Sequence, residues 1–281
     1  MSKALFALPA LALAGVIAAS AAQALTLTQH VTSGLVVGSD PTTWGATAVS
    51  VPNADGSALV EGGARSGSAF TFIDNSSGAQ GGLVGAGFDL YVARDANYLY
   101  VGAVVSDDTV VANAPAWWRR DSVEFRLVAD GYGTYDHNGA NQDGLFIFSV
   151  QRDGTTTPNY GEIQSAGLMF DTWVVNNSAS GYTAAARIEL TSLTGASAGA
   201  ESGALRLNAN TKNQDIANSN DDLNRVWLAG DAAASTNALF EAQLENTSNW
   251  ALIAAVPEPA SLLLLGSGLL GLSALRRRRK A

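Results

Sequence analysis

One Asp- and Asn-rich stretch has the residue types that bind divalent cations. Residues 129–144 read ADGYGTYDHNGANQDG and are polar throughout. Calcium loops need oxygen ligands at regular steps, and Asp136 followed by Asn138 begins such a series. Ala140 then stands where the EF-hand pattern requires a third ligand, so that motif is broken. The stretch is therefore predicted to be a solvated hairpin loop.

Few residues remain for catalysis. The chain has no cysteine, which excludes thiol catalysis, thiolate metal sites and disulfides. Its histidines, His30 and His137, are far apart in sequence and indicate no paired site. A glycosidase would use two carboxylates, and no pair stands out among the acids. Haem would need Met169 or a histidine as axial ligand. We predict no enzyme activity and no cofactor, with a structural calcium ion left open near Asp107 and Asp108.

The elements that position these residues are predicted to be β-strands. Asp89 to Val128 contains three strands, with turn residues at Asp95-Ala96-Asn97 and Trp117-Trp118 in the loop before the third. Their alternation predicts an antiparallel sheet with one solvated face. Further strands are predicted at Phe70–Ile73, Leu145–Gln151, Leu168–Val175, Tyr182–Leu190, Leu205–Asn210, Arg225–Leu228 and Phe240–Leu244. Nine or ten strands with turns between them predict an all-β fold, an antiparallel β-sandwich.

Residues 1–24 have the three parts of a secretory signal peptide. Lys3 supplies a positive charge, an apolar run extends from Ala4 to Ala19, and Ala22-Gln23-Ala24 matches an A-x-A cleavage site. A buried N-terminal helix is a poor alternative because the run has no polar face. The sequence therefore predicts export, with cleavage after Ala24.

Residues 256–281 combine a Pro-Glu-Pro joint, an apolar segment and a basic tail. Pro257 and Pro259 disfavour a helix and make the joint extended. A helix from Ala260 to Leu275 would be about 24 Å long, slightly less than a hydrocarbon core of about 30 Å. The cluster Arg276–Lys280 would remain on the cytoplasmic side.

This C-terminal arrangement resembles the PEP-CTERM sorting signal of exported bacterial proteins, with Pro257, Glu258 and Pro259 as its motif. The resemblance implies an exosortase-type membrane protease as a partner and a transmembrane helix that is temporary. It also implies delivery to the cell surface or the extracellular polysaccharide matrix. A permanent single-span anchor is the alternative, and it differs only in whether the tail survives.

Between the two signals, residues 25–255 form the predicted domain. The chain has 16 Lys+Arg and 25 Asp+Glu. The signals contain six of the basic residues and one of the acids, so the domain has 10 basic and 24 acidic residues and a formal net charge of -14. Phosphate backbones are bound by Lys and Arg, so we predict no nucleic-acid partner. Such acidity suits neutral sugars or cations better than anionic polymers.

The central block FDLYVARDANYLYVGAVVSDD, followed by WWRRDSVEF, resembles family 9 carbohydrate-binding modules and the wider DOMON-like sandwich group. The resemblance implies that the Trp of the motif W-x-x-D-S-V-E, here Trp118, stacks on a sugar ring. It also places the sugar-bonding carboxylate at Glu124 and a side-chain amide at Asn208. These residues suit a polysaccharide or glycan ligand, because sugars offer apolar faces ringed by hydroxyls.

The chain departs from the family pattern at two positions. The second stacking Trp, expected in the loop after Trp227, is replaced by residues 232–236, AAAST. The sugar-bonding Arg on the strand after the third is replaced near Ile147. These losses predict weak binding or binding of a different glycan.

Two alternatives stay open. In the first, Trp117 and Trp118 plug one end of the sandwich, and Glu124 is an exposed strand carboxylate or pairs with Arg119 or Arg120. In the second, the protein is a structural or adhesive matrix protein of a biofilm and binds no sugar.

Overall fold

The computed structural model describes residues 26–27, 30–31, 33–51, 65–66, 69–73, 86–107, 120–132, 145–158, 168–193, 204–214, 223–228 and 247–253. Within them the chain forms strands β1 (Thr26–Leu27), β2 (His30–Val31), β3 (Val49–Val51), β4 (Arg65–Ser66), β5 (Ala69–Ile73), β6 (Phe88–Arg94), β7 (Tyr98–Ser106), β8 (Ser122–Ala129), β9 (Phe146–Gln151), β10 (Thr156–Pro158), β11 (Phe170–Ser178), β12 (Gly181–Glu189), β13 (Leu205–Gln214), β14 (Leu223–Trp227) and β15 (Ala251–Ile253). Short 3₁₀ helices cover Pro41–Thr43, Leu190–Ser192 and Thr247–Asn249.

The strands form two sheets. The described part of the first sheet has nine strands in the order β10-β9-β8-β13-β14-β5-β4, with β15 beside β13 and β1 beside β15. The second has six in the order β11-β12-β7-β6-β2, with β3 also paired to β6. Neighbouring strands are antiparallel except β1 with β15 and β2 with β6, which are parallel. This is the predicted all-β sandwich.

The segment Asp89–Val128 is divided between the two sheets. β6 and β7 pair across the predicted turn, where Asp95 Oδ1 accepts hydrogen bonds at 2.8 Å from the backbone N–H groups of Asn97 and Tyr98. β8 lies in the first sheet, between β9 and β13. The three strands were predicted correctly, but β8 does not share a sheet with the other two. Its residues Ser122 to Val128 are buried on both faces, so it has no solvated face either.

The core lies between the sheets and contains the alternating apolar residues of the central strands. Ala184 and Ile188 of β12 belong to the same buried cluster as Leu205 and Leu207 of β13, and each is at most 1% exposed. Residues two or four positions apart share the core face because successive side chains of a strand point to opposite sides of the sheet.

An ion-pair network around Arg152 bridges the two sheets at one end. Its Nη1 lies 2.7 Å from Asp107 Oδ2 and 3.7 Å from Asp121 Oδ2, and all three residues are buried. The same guanidinium donates to Asn177 Oδ1 at 2.9 Å and to the carbonyl of Ser178. Asp107 follows β7 of the second sheet and Asp121 precedes β8 of the first, so this Arg152 bridge joins them.

The phenol of Tyr182 lies in the same region. Burial raises its pKa well above the usual range, and the nearby carboxylates of Asp121 and Asp107 raise it further, while Arg152 lowers it. The Arg152 guanidinium lies 5.1 Å from the centre of the Tyr182 ring. The phenol therefore remains neutral at physiological pH.

A segment we call the strap, residues 33–48, packs on the outer face of the second sheet. Asp40 caps its 3₁₀ helix by accepting from the Thr42 N–H at 3.0 Å, and Trp44 packs edge-on against Tyr100 and Trp173. Gly38 has a φ of +90°, a backbone conformation that glycine adopts without steric cost. Burial and a hydrogen bond to Asp95 raise the pKa of Tyr100 to about 12.

Several predicted features lie outside the described residues. These are the signal peptide, the Asp-rich stretch from residue 133 to 144, the strand at Phe240–Leu244 and the sorting tail. Within the described part, no helix is long and apolar enough to cross a membrane.

Candidate functional site

A patch of polar side chains lies on the side of the first sheet that points away from the core. On β8, β9 and β13 the apolar residues face inward, so the intervening polar residues share the opposite face. We call this set the polar face: Glu124, Arg126, Ser149, Asn208, Asn210 and Lys212. Each of them is at most 5% exposed. This face is therefore a buried polar layer and not a solvated surface.

Glu124 is the centre of a charge network on the polar face. Its Oε1 accepts hydrogen bonds from Arg126 Nε at 2.7 Å and from Asn210 Nδ2 at 3.1 Å. Its Oε2 lies 2.6 Å from Lys212 Nζ, which also lies 3.4 Å from Ser149 Oγ. A carboxylate that is 1% exposed needs such partners, because an unpaired buried charge is strongly destabilising.

These contacts correct the expected environment of Glu124. It is not an exposed strand carboxylate, and two of its partners are Arg126 and Lys212, which the sequence did not indicate. Arg120 donates to Gln151 Oε1 at 3.2 Å, and Arg119 lies outside the described residues.

Asn210 donates a hydrogen bond to the Glu124 carboxylate. Strand register places Asn210 opposite Glu124 and Asn208 opposite Arg126. Asn208 Oδ1 accepts from the neighbouring N–H of Ala209 at 2.9 Å. Asn210 Oδ1 has no hydrogen-bond partner in the described structure, although Asn210 is 0% exposed. Leaving a buried acceptor unsatisfied costs about 1–3 kcal/mol, which a ligand hydroxyl that donates to it would recover.

An apolar cluster borders the polar face at the end nearer to Ala129. It consists of Val128, Leu145, Ile147 and Trp250, with Tyr132 packed against it. Ile147 lies directly opposite Arg126 and is 0% exposed. An aliphatic residue therefore occupies the position near which the family would have an arginine, and the cations of this face come from β8 and β13.

Two further predictions concern the stacking Trp118 and a calcium ion near Asp107. Trp118 and its neighbour Trp117 lie outside the described residues, so their role stays a prediction. Asp107, one of the suggested calcium ligands, is paired with Arg152. Among the described residues, no group of three or more His, Asp or Glu side chains could hold a metal ion.

The family model of the carbohydrate family 9 binding domain-like proteins matches residues 79–237, more than half of the chain. The chain belongs to this family. The matched range includes the polar face and Trp118. A second model, that of the PEP-CTERM protein-sorting motif, matches residues 255–279 and confirms the predicted tail. The protein is thus an exported family 9-like protein, located at the cell surface or outside the cell.

Solved structures of family 9 modules are among those to which this chain is similar. A family 9 carbohydrate-binding module from Caldicellulosiruptor kristjanssonii in complex with glucose is 17% identical, with a TM-score of 0.41, and the match covers 71% of this chain and 96% of that one. A module from the same organism in complex with cellotriose is 18% identical, with a TM-score of 0.42 and coverage of 72% and 95%. Among curated proteins, none matches this sequence.

Proposed function

We propose that the polar face of this family 9-like domain binds a glycan outside the cell, without catalysing a reaction on it. The supporting observation is the carbonyl oxygen of Asn210, a buried acceptor without a partner in the described structure, held beside Glu124. Sugars are recognised by a few fixed polar groups, and a hydroxyl that donates to this oxygen would satisfy it.

Trp118 is the proposed aromatic platform of the site. It lies three residues before Asp121 in the same loop-to-strand motif that positions Glu124. Stacking of an aromatic ring contributes about 1 kcal/mol beyond the area that it buries. Asn208 is retained as a second amide of the site because it lies on the same face as Asn210.

The charges of the polar face favour binding over catalysis. Glycosidases use two carboxylates that flank the scissile bond. The described part of the polar face has one carboxylate, Glu124, and it is bonded to two cations. The domain's net charge of -14 argues against nucleic acid as a partner.

The sorting tail defines the remaining proposed partners. The segment from Ala260 to Leu275 holds the exported chain in the membrane before processing. An exosortase-type protease then acts near Pro257-Glu258-Pro259. The mature domain would be residues 25–255, released from both signals.

Binding is tested by titrating the full chain, purified in detergent, with a panel of neutral sugars. The panel includes glucose and cellotriose, the ligands of the two solved modules, with xylose- and galactose-based oligosaccharides. We expect Trp118→Ala to weaken binding about five- to tenfold and Asn210→Ala about two- to tenfold. Trp173→Phe is the matched control, since Trp173 packs against the strap on the other sheet.

Two outcomes would contradict the proposal. One is that no sugar of the panel binds, and the other is that Trp118→Ala and Asn210→Ala bind as the wild type does. A chain that binds nothing would favour the second candidate, a structural or adhesive protein without sugar binding. The cations on both oxygens of Glu124 favour that candidate, because they compete with sugar hydroxyls.

A further inference from the structure

Lys212 and Asn210 contact different oxygens of the Glu124 carboxylate. Its ammonium is 2.6 Å from Glu124 Oε2, whereas the amide of Asn210 donates to Oε1. Lys212 is 2% exposed, so removal of its charge from water has to be offset by Glu124 and its other contacts. The two β13 residues thus each bind one oxygen of the same carboxylate.

The bond to Glu124 determines which way the Asn210 amide points. An ionised carboxylate has no proton to donate, so it can hold only the Nδ2 side of an amide. The carbonyl oxygen is then directed away from Glu124, where it has no partner in the described structure. A protonated Glu124 could donate to that oxygen instead. The amide would then rotate so that its carbonyl oxygen bonds to Glu124 and no longer accepts from a ligand.

Protonation of Glu124 is opposed by the cations beside it. An opposite charge within about 4–6 Å favours the ionised form of a carboxyl group, and burial favours the neutral form. Arg126 of β8 and Lys212 of β13 supply the favourable charge, and β9 contributes the neutral Ser149. Arg and Lys keep their charge over the physiological range, so Arg126 and Lys212 both favour the ionised form of the Glu124 carboxylate.

We infer that Lys212 is a positioning residue of the proposed glycan site. It keeps Glu124 ionised, and the ionised carboxylate orients Asn210 so that its carbonyl oxygen accepts a hydroxyl of a neutral sugar. This inference rests on the proposed function, because it assigns an orientation role within that site. It also specifies the sugar chemistry, a hydroxyl donor at the position that Asn210 faces.

The test compares Lys212→Met and Lys212→Arg in the full chain, titrated with the panel sugar that the wild type binds most tightly. We expect Lys212→Met to bind about tenfold more weakly at about pH 5 than at about pH 8, while the wild type changes about twofold or less. Lys212→Arg keeps the charge and should restore the pH profile of the wild type. Arg206→Met is the matched control, because Arg206 is a cation of the same strand that pairs with Asp130 instead.

A double variant covers the case in which Lys212→Met does not fold. Glu124→Gln combined with Lys212→Met removes both charges, so no buried charge of this pair is left alone. It should bind more weakly than the wild type and without pH dependence. Pronounced pH dependence of binding in the double variant would overturn the inference. A folded Lys212→Met whose binding does not depend on pH would also overturn it. So would a Lys212→Arg that binds as weakly, and with the same pH dependence, as Lys212→Met. Failure of the wild type to bind any sugar would instead remove the proposed function, and the role of Lys212 with it.

Discussion

At the scale of single residues, the domain depends on two buried networks of charge. Glu124 is held on the polar face by Arg126 and Lys212, and Asp107 and Asp121 are held between the sheets by Arg152. Removing one partner of a buried pair leaves a charge without compensation, which costs more than the intact pair contributes. Single substitutions in these networks should therefore lower the free energy of unfolding strongly.

The Arg152 bridge provides the clearest test of this point. We expect Arg152→Met to lower the free energy of unfolding by about 3–5 kcal/mol, because the carboxylates of Asp107 and Asp121 stay buried without it. Arg187→Met is the matched control, since Arg187 pairs with Asp171 at the surface, where side-chain exposure is 26% and 50%. Its cost should be about 1 kcal/mol or less. Urea denaturation measures both, and equal losses would contradict the role of the bridge.

The sequence predicted some residues of the candidate site and not the residues that they contact. Glu124 was predicted from the motif that follows Trp118, and Asn208 was predicted from the resemblance to family 9 modules. The register between β8 and β13 places Asn210 beside Glu124, and these two residues are 86 positions apart in the sequence. Lys212 was missed for the same reason. A motif specifies the chemistry of one strand, whereas contacts between strands depend on pairing across the whole chain.

At the scale of elements, the strap and the second sheet fit closely. Gly102 of β7 lies beneath the strap, and a Cβ atom built there would be 2.4 Å from Pro41 Cγ and 3.0 Å from Trp44 Cη2. The register of the sheet places Gly102 between Tyr91 and Ala185. The 3₁₀ helix therefore occupies a hollow that requires a glycine at this position.

Gly102→Ala should displace the strap and destabilise the domain by about 1–3 kcal/mol, as overpacking does. The change should also alter Trp44 fluorescence, because Trp44 would move relative to Tyr100 and Trp173. Pro41→Gly removes both atoms nearest to the new methyl group. In a double-mutant cycle the combined variant should lose less stability than the sum of the two single variants. Strict additivity would mean that the strap does not contact Gly102.

Strand ends were predicted less well than strand positions. The strand before β12 was predicted to end at Val175. Instead β11 continues to Ser178, with an irregularity between Val175 and Ser178, and Asn176 adopts a φ of +53°. Asn tolerates this left-handed conformation, which makes it frequent both in turns and at bulges. Composition alone does not distinguish the two.

At the scale of the whole molecule, the two ends of the domain meet in one sheet. β15 pairs in parallel with β1 and antiparallel with β13. Neither strand was predicted from the sequence, because β1 has two residues and β15 has three, too few to establish an alternating pattern. Pairing that closes a sheet between distant parts of a chain comes from tertiary packing and not from local propensity. The placement of β8 in a different sheet from β6 and β7 also comes from tertiary packing.

The position of β15 predicts where the chain can be shortened. β15 ends at Ile253, four residues before Pro257, so a chain ending at Ala255 keeps every described strand. We expect it to unfold at the same midpoint as the full chain in the same detergent. A chain ending at Asn246 lacks Trp250 and Ile253, which are each 1% exposed.

The shorter chain should be less stable by at least about 3 kcal/mol, since the loss of one large buried side chain already costs about that much. It also removes the carbonyls of Ser248 and Trp250 that accept hydrogen bonds from Arg206. Thermal unfolding of the two truncated chains, followed by tryptophan fluorescence, measures the difference. Equal midpoints would mean that β15 is dispensable. Unequal midpoints in the expected direction would mean that the sandwich requires β15, the strand immediately before the sorting signal.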